Sequence, residues 1–127
     1  MKKAIQQNSY SEKDVFIGID VHKKTYSIVA RVENEIVKKW TTAARAEGLA
    51  EQLLKYFEGA RIHTAYEAGF SAFVLHRELL KYGIDNIVVH VPSIEVAVND
   101  RVKTDKRDAK KLASLLESGR LRGIRVP

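Results

Sequence analysis

A chain of 127 residues, 45% apolar and 30% charged, is long enough for one domain with a real core. With no cysteine, disulfides, thiolate-bound zinc and a thiol nucleophile are excluded. There is no apolar run of membrane-spanning length and no signal-peptide pattern, so a cytoplasmic protein with no membrane partner is expected. A net charge of +6 and a pI near 9.6 point to a polyanionic partner.

Residues 1–13 are polar and patternless and read as a flexible leader. Val15 to Val21 is an almost continuous apolar run, as in a central strand buried on both faces, and Asp20 stands at its C-terminal tip. Tyr26, Ile28, Ala30 and Val32 alternate as a second strand, and after a turn at Glu33-Asn34-Glu35 a third runs from Ile36 to Thr41. These three form an antiparallel meander. Ala46 to Phe57 has helical spacing and stops at Gly59. Ile62 to Tyr66 is a short strand closed by Glu67, and Phe70 to Tyr82 is an amphipathic helix capped by Gly83. Ile87 to Val91 is another strand. Pro92 and Ser93 open a brief helical stretch, a basic connector follows, and a last helix runs from Asp105 to about Ser118, ended by Gly119. Leu121 to Val126 reads as one more strand.

The order βββαβαβ(α)α predicts an α/β fold with a ribonuclease H-like mixed sheet, three antiparallel strands followed by alternating helices and strands. In such a sheet the tips of the first and fourth strands lie side by side, where ligands of open α/β sheets gather. Asp20 and Glu67 occupy those tips.

The last helix opens on Lys103-Thr104-Asp105-Lys106-Arg107-Asp108-Ala109. Residues three apart share a helix face, and at about 100° per residue Ala109, Leu112 and Leu116 fall near Asp105, with Asp108 about 60° away. Lys106, Arg107, Lys110 and Lys111 fall opposite. Two acids thus point with the apolar stripe and the bases point to solvent. The alternative is capping, with Asp105 as N-cap and Asp108 at the third helical position.

Asp20, Glu67, Asp105 and Asp108 are therefore candidates for one site. Clustered carboxylates repel unless a cation neutralises them, and a set of oxygen ligands selects a hard ion, Mg²⁺ or Mn²⁺. Such ions stabilise the attacking and leaving oxygens of a phosphodiester displacement. Between Asp100 and Lys111 there are six Lys or Arg against three Asp. Arg101, Lys103, Lys106, Arg107, Lys110 and Lys111, together with His22, Lys23 and Lys24, would hold a nucleic-acid backbone without reading sequence. Alternatively, these are a solvated helix face and an exposed turn. His63 and His76 are isolated and read as structural, and His90 has no spaced partner that would make it a zinc ligand.

Gly18-Ile19-Asp20-Val21-His22-Lys23, Tyr66-Glu67-Ala68-Gly69 and Lys103-Thr104-Asp105-Lys106-Arg107-Asp108-Ala109, with Leu112-Ala113 after it, resemble the signatures of the DEDD transposases. These are recombinases of a bacterial insertion-sequence family related to the pilin-gene inverting proteins. The resemblance runs from about Val15 to Pro127. It implies a RuvC-like catalytic domain over residues 14–127 in which Asp20, Glu67, Asp105 and Asp108 are the catalytic, metal-binding acids. It also implies DNA as substrate and a structured guide RNA as partner, and self-association is expected of the full-length protein. Members of that family carry a downstream domain with a nucleophilic serine, and neither Ser93, Ser114 nor Ser118 matches it. On this reading the chain is an excised catalytic domain that binds metal without recombining DNA efficiently.

Three rival readings compete with this one. An actin-like kinase needs a glycine-rich phosphate turn after its first strand, where this chain has Val21-His22-Lys23-Lys24. A RuvC-like junction-resolving nuclease would share the metal site without a serine domain or guide RNA. A non-catalytic basic nucleic-acid-binding module would use its acids only to cap and solvate.

Overall fold

The computed structural model describes residues 9–69, 72–90, 108–121 and 123. Their elements are, in chain order, β1 (Asp14–Val21), β2 (Thr25–Val32), β3 (Glu35–Ala43), α1 (Ala46–Tyr56), β4 (Arg61–Glu67), α2 (Ala72–Lys81), β5 (Asp85–Val89) and α3 (Ala109–Glu117). The brief helical stretch expected after Pro92 lies outside the described residues. Of the last expected strand, one antiparallel bridge between Val89 and Gly123 falls within them.

The strands form one five-stranded mixed sheet in the order β3-β2-β1-β4-β5. β1, β2 and β3 are antiparallel neighbours, and β4 and β5 join β1 in parallel. The meander turns on Glu33 and Asn34, whose φ values of 53° and 68° both lie in the left-handed region. Two such residues in succession match the twist of the flanking strands, which favours this tight hairpin connection.

Alternation along the strands sorts the side chains onto two faces. Val15, Ile17 and Ile19 of β1, Ile28 and Ala30 of β2, and Tyr66 of β4 face a core completed by Leu49, Leu53 and Phe57 from the α1 region and by Leu75 and Leu79 of α2. α1 and α2 pack on each other over this face. Burying each of these large side chains contributes about 1.5–3 kcal/mol, so this face supplies much of the stability.

The opposite face carries Phe16, Gly18, Ser27, Val29, His63 and Ala65. α3 lies across it and packs on β1, β2 and β4, with Ala109 and Ala113 clustered around Val29. Gly18 allows the helix to sit this close. A Cβ at that position would stand 2.6 Å from the Ala113 nitrogen and 2.9 Å from the Leu112 Cβ, and nearer still to the Ala109 carbonyl oxygen. The far end of α3 is fixed by charge. Arg31 Nε donates to Glu117 Oε1 at 2.7 Å, the Asn34 amide donates to Glu117 Oε2 at 2.8 Å, and Arg31 Nη2 donates to the Asn34 carbonyl at 3.0 Å. An acid in the last turn opposes the helix dipole, so it is these partners that stabilise Glu117 there.

The helix starts four residues later than the sequence reading placed it. α3 begins at Ala109, so Asp108 precedes the helix instead of lying within it, and Asp105 lies outside the described residues. Gly59, Gly83 and Gly119, at φ 80°, 78° and 77°, follow the three helices where the sequence placed their stops.

Gly18→Ala forces the α3 backbone off the sheet. Overpacking of this kind costs about 1–3 kcal/mol, and urea unfolding should register that loss.

Candidate functional site

β1 and β4 are paired so that Gly18 stands opposite Ala65 and Ile19 opposite Tyr66. One step further along this register brings Asp20 level with Glu67. Paired residues of neighbouring strands share a face and lie about 4.8 Å apart. The two acids named from the sequence thus stand side by side at the C-terminal ends of the central strands. Both are withdrawn from bulk water: the Asp20 side chain is 16% exposed, and Asp20 Oδ1 and Glu67 Oε2 are buried atoms. Two ionised carboxylates at this spacing repel, and a cation between them relieves the repulsion.

On its other side Asp20 pairs with Ser27 of β2. The β1–β2 turn carries His22, Lys23 and Lys24, all exposed, and His22 Nε2 lies 3.2 Å from Asp20 Oδ2. The three helices all begin at this end of the sheet. α1 and α2 follow the C-terminal ends of β3 and β4, and α3 starts over Gly18, two residues before Asp20. Helix N-termini carry partial positive charge, so this end of the sheet favours anions.

Asp108 is the N-cap of α3, with an extended backbone (φ −82°, ψ 177°), and its Oδ1 accepts the Lys111 amide at 2.9 Å. It is exposed, as are Lys110 and Lys111, whereas Ala109, Leu112 and Ala113 are buried. The sequence had weighed capping with Asp105 as the cap; the cap is Asp108 itself. A short acid just before a helix gains more by accepting an orphan amide than by taking a helical position. Asp105, Arg101, Lys103, Lys106 and Arg107 lie outside the described residues. Among the described residues, no three His, Asp or Glu side chains converge on a metal position. The structure therefore places Asp20 with Glu67 and His22 with Asp20, and gives Asp108 to the helix.

The other polar clusters are internally satisfied. At the opposite end of the sheet, Asp14 accepts from Arg61 Nε and Nη2 at 2.9 and 3.1 Å. His63 bridges Asp14 and Asp85 at 2.9 and 3.2 Å and stacks on Phe16. The Arg61 guanidinium and then His63 hold the Asp14 carboxyl well below the usual carboxylate range. Behind β4, Thr64 Oγ1 donates to Asn86 Oδ1 at 2.6 Å and Asn86 Nδ2 donates to His76 Nδ1 at 2.9 Å. The His76 amide donates to the Tyr66 hydroxyl, which burial pushes up to about 12. Accepting from an amide NH₂ requires an unprotonated Nδ1, and burial accordingly lowers His76 from its ordinary value. No local sequence signal marks this network, because its members come from β4, α2 and β5.

The chain is similar to transposases. It is 35% identical over 113 residues, 87% of its length, to the transposase for insertion sequence element IS1533 of Leptospira borgpetersenii. It is 31% identical over 119 residues, 91% of its length, to a protein of Sinorhizobium fredii (strain NBRC 101917 / NGR234) named "Putative transposase y4qE". The matched region is 33% and 30% of these two proteins, so the chain spans about a third of the length of its curated relatives. No protein-family model matches it. No helix among the described residues is long and apolar enough to cross a membrane.

Two outcomes test the site's structural residues. Asp108→Ala should destabilise the domain by about 1 kcal/mol while Asp108→Ser, which still caps, stays within about 0.5 kcal/mol, as read by urea unfolding. His76 has a folded value below its ordinary 6.5, so its contribution to stability is complete above that pH and is lost as pH falls through the folded value. His76→Gln should flatten the fall in unfolding free energy between about pH 7 and about pH 5.

Proposed function

We propose that this chain is the catalytic domain of a DNA transposase, of ribonuclease H-like, RuvC-like type, that cleaves and joins DNA strands with a divalent metal. Asp20 and Glu67 form the fixed half of the metal site. Asp105 and Asp108 supply the other half from the segment leading into α3. The observation that carries this reading is the β1–β4 register, paired as far as Ile19 with Tyr66, which continued by one residue sets two carboxylates side by side at adjacent strand tips. The strand order β3-β2-β1-β4-β5, with a helix laid over Gly18, is the arrangement that a ribonuclease H-like reading requires, and the similarity to two named transposases supports the reaction class.

The residues present fit such an ion: their donors are carboxylate oxygens, the set a hard cation selects. When bound, Mg²⁺ or Mn²⁺ would polarise the phosphodiester and neutralise charge on its oxygens. The chain's own side chains do the rest. The strand register fixes the spacing of Asp20 and Glu67, and the His22 imidazole orients the outer oxygen of Asp20. Lys23 and Lys24 flank the site with positive charge, and Lys110 and Lys111 do so from α3. The cap engages only Asp108 Oδ1, so Oδ2 is the oxygen that a metal would take. For the whole protein we extend the proposal to a structured guide RNA, self-association and a serine-bearing second domain.

Calorimetric titration with Mn²⁺ tests this. The parent chain should bind, and Asp20→Asn, Glu67→Gln and Asp105→Asn should each weaken binding at least about tenfold, in the range seen when a group that sets a metal site is removed. Binding that survives all three changes refutes the four-carboxylate site.

A further inference from the structure

The register that aligns Asp20 with Glu67 continues across the sheet in the other direction. Asp20 pairs with Ser27, and Ser27 pairs with Thr41 of β3, so Thr41, Ser27 and Asp20 form one polar row on one face, which the β1–β4 register extends to Glu67. The next row holds Lys39 of β3, paired with Val29. Val29 is where α3 rests, through Ala109 and Ala113. The helix packs on β1, β2 and β4 but leaves the β3 side of this face open, and Lys39 and Thr41 are exposed there.

The wall of this open strip comes from α3. Ala109, Ala113 and Glu117 mark its edge over β2, and on a helical wheel Lys110 and Ser114 lie about 20° and 60° beyond Glu117, toward β3. Both are exposed. The strip is thus floored by Ser27, Thr41 and Lys39, walled by Lys110 and Ser114, and ends at Asp20. Its two cations, Lys39 and Lys110, are free of acidic partners among the described residues, as are most other lysines of the domain. An exposed edge strand with a polar face, hydroxyl donors and two lysines matches a row of phosphates, although the same strand also exposes Ile36 further from Asp20.

We infer that this strip, Ser27, Lys39 and Thr41 beside Lys110 and Ser114, seats the sugar–phosphate backbone of a DNA strand that enters the site from the β3 side. The inference rests on Asp20 and Glu67 being the reaction centre. Thr41 stands two strand spacings, about 10 Å, from Asp20, so a strand lying here delivers its next phosphates to the acids. Contacts of lysines and hydroxyls to phosphate fix position and carry no sequence information, so this surface aligns DNA of any sequence.

The test is the affinity of the full chain for a fluorescently labelled DNA duplex of arbitrary sequence, measured by anisotropy across a salt series. The variants are Lys39→Ala/Lys110→Ala and, as a control on exposed α1 at the other face, Lys55→Ala. The double variant should bind several-fold more weakly, with the slope of log affinity against log salt reduced by about two, while Lys55→Ala matches the parent. Equal affinity of the double variant and the parent, an equal loss in the control, or a parent that does not bind the duplex overturns the inference. Mn²⁺ titration of Lys39→Ala alone separates the two readings. Metal binding should persist at the parent's affinity when Lys39 is gone. A parent that binds DNA through these lysines but binds no Mn²⁺ contradicts the metal centre and the part of this inference that leads the strand to it.

Discussion

Pairing β1 with β4 in parallel, with Gly18 opposite Ala65, decides what stands at the end of the sheet. The same register does two things on one face. It sets Gly18 under α3, where only a residue without a side chain allows the helix backbone to approach. Two residues on, it sets Asp20 beside Glu67. The seat of the helix and the spacing of the acids are thus consequences of one hydrogen-bonding pattern. A slip of one residue would turn Asp20 toward the α1–α2 core and present an isoleucine to the solvent-facing end. The core on the other face resists such a slip, because Val15, Ile17 and Ile19 are fully buried against both neighbouring strands and the two helices.

The two faces of the sheet divide the work. The α1–α2 face carries most of the apolar burial, together with one polar network, Thr64–Asn86–His76, whose members satisfy one another. The α3 face is thinner. It is held by Gly18, by the small cluster around Val29, and by Glu117 on Arg31 and the Asn34 amide. Among the described residues α3 leaves the β3 margin of this face uncovered, where a charged ligand can approach side chains directly. The polar row Thr41–Ser27–Asp20, which the β1–β4 register extends to Glu67, begins on that margin.

Much of this was legible in the sequence, and the exceptions have physical causes. Strand alternation, the turn at Glu33-Asn34 and the glycines after each helix are local signals, so the elements lie within a few residues of where they were expected. Asp20 and Glu67 could be named because each closes an apolar run, which a strand-tip acid does. Asp108 was harder. An acid before an apolar helical pattern has the same signature whether it caps the helix or points inward from its first turn, and the tertiary seat of α3 decided for the cap. Arg31 with Glu117, separated by 86 residues, left no local trace at all. Lys39 was equally silent, since its role depends on which strands α3 leaves uncovered. The basic connector from Arg101 to Arg107, which the sequence marked most strongly, lies outside the described residues.

The most direct test of the central claim is to follow backbone amide signals as Mn²⁺ is added in trace amounts, since the paramagnetic ion broadens only nearby nuclei. The account predicts that the signals of Asp20, Val21, Glu67 and Ala68 disappear first, while those of Asp14, His63 and Asp85 at the opposite end of the sheet stay sharp. Broadening centred on Asp14 and Asp85, or spread evenly over the exposed acids, would contradict a metal centre at the adjacent tips of β1 and β4.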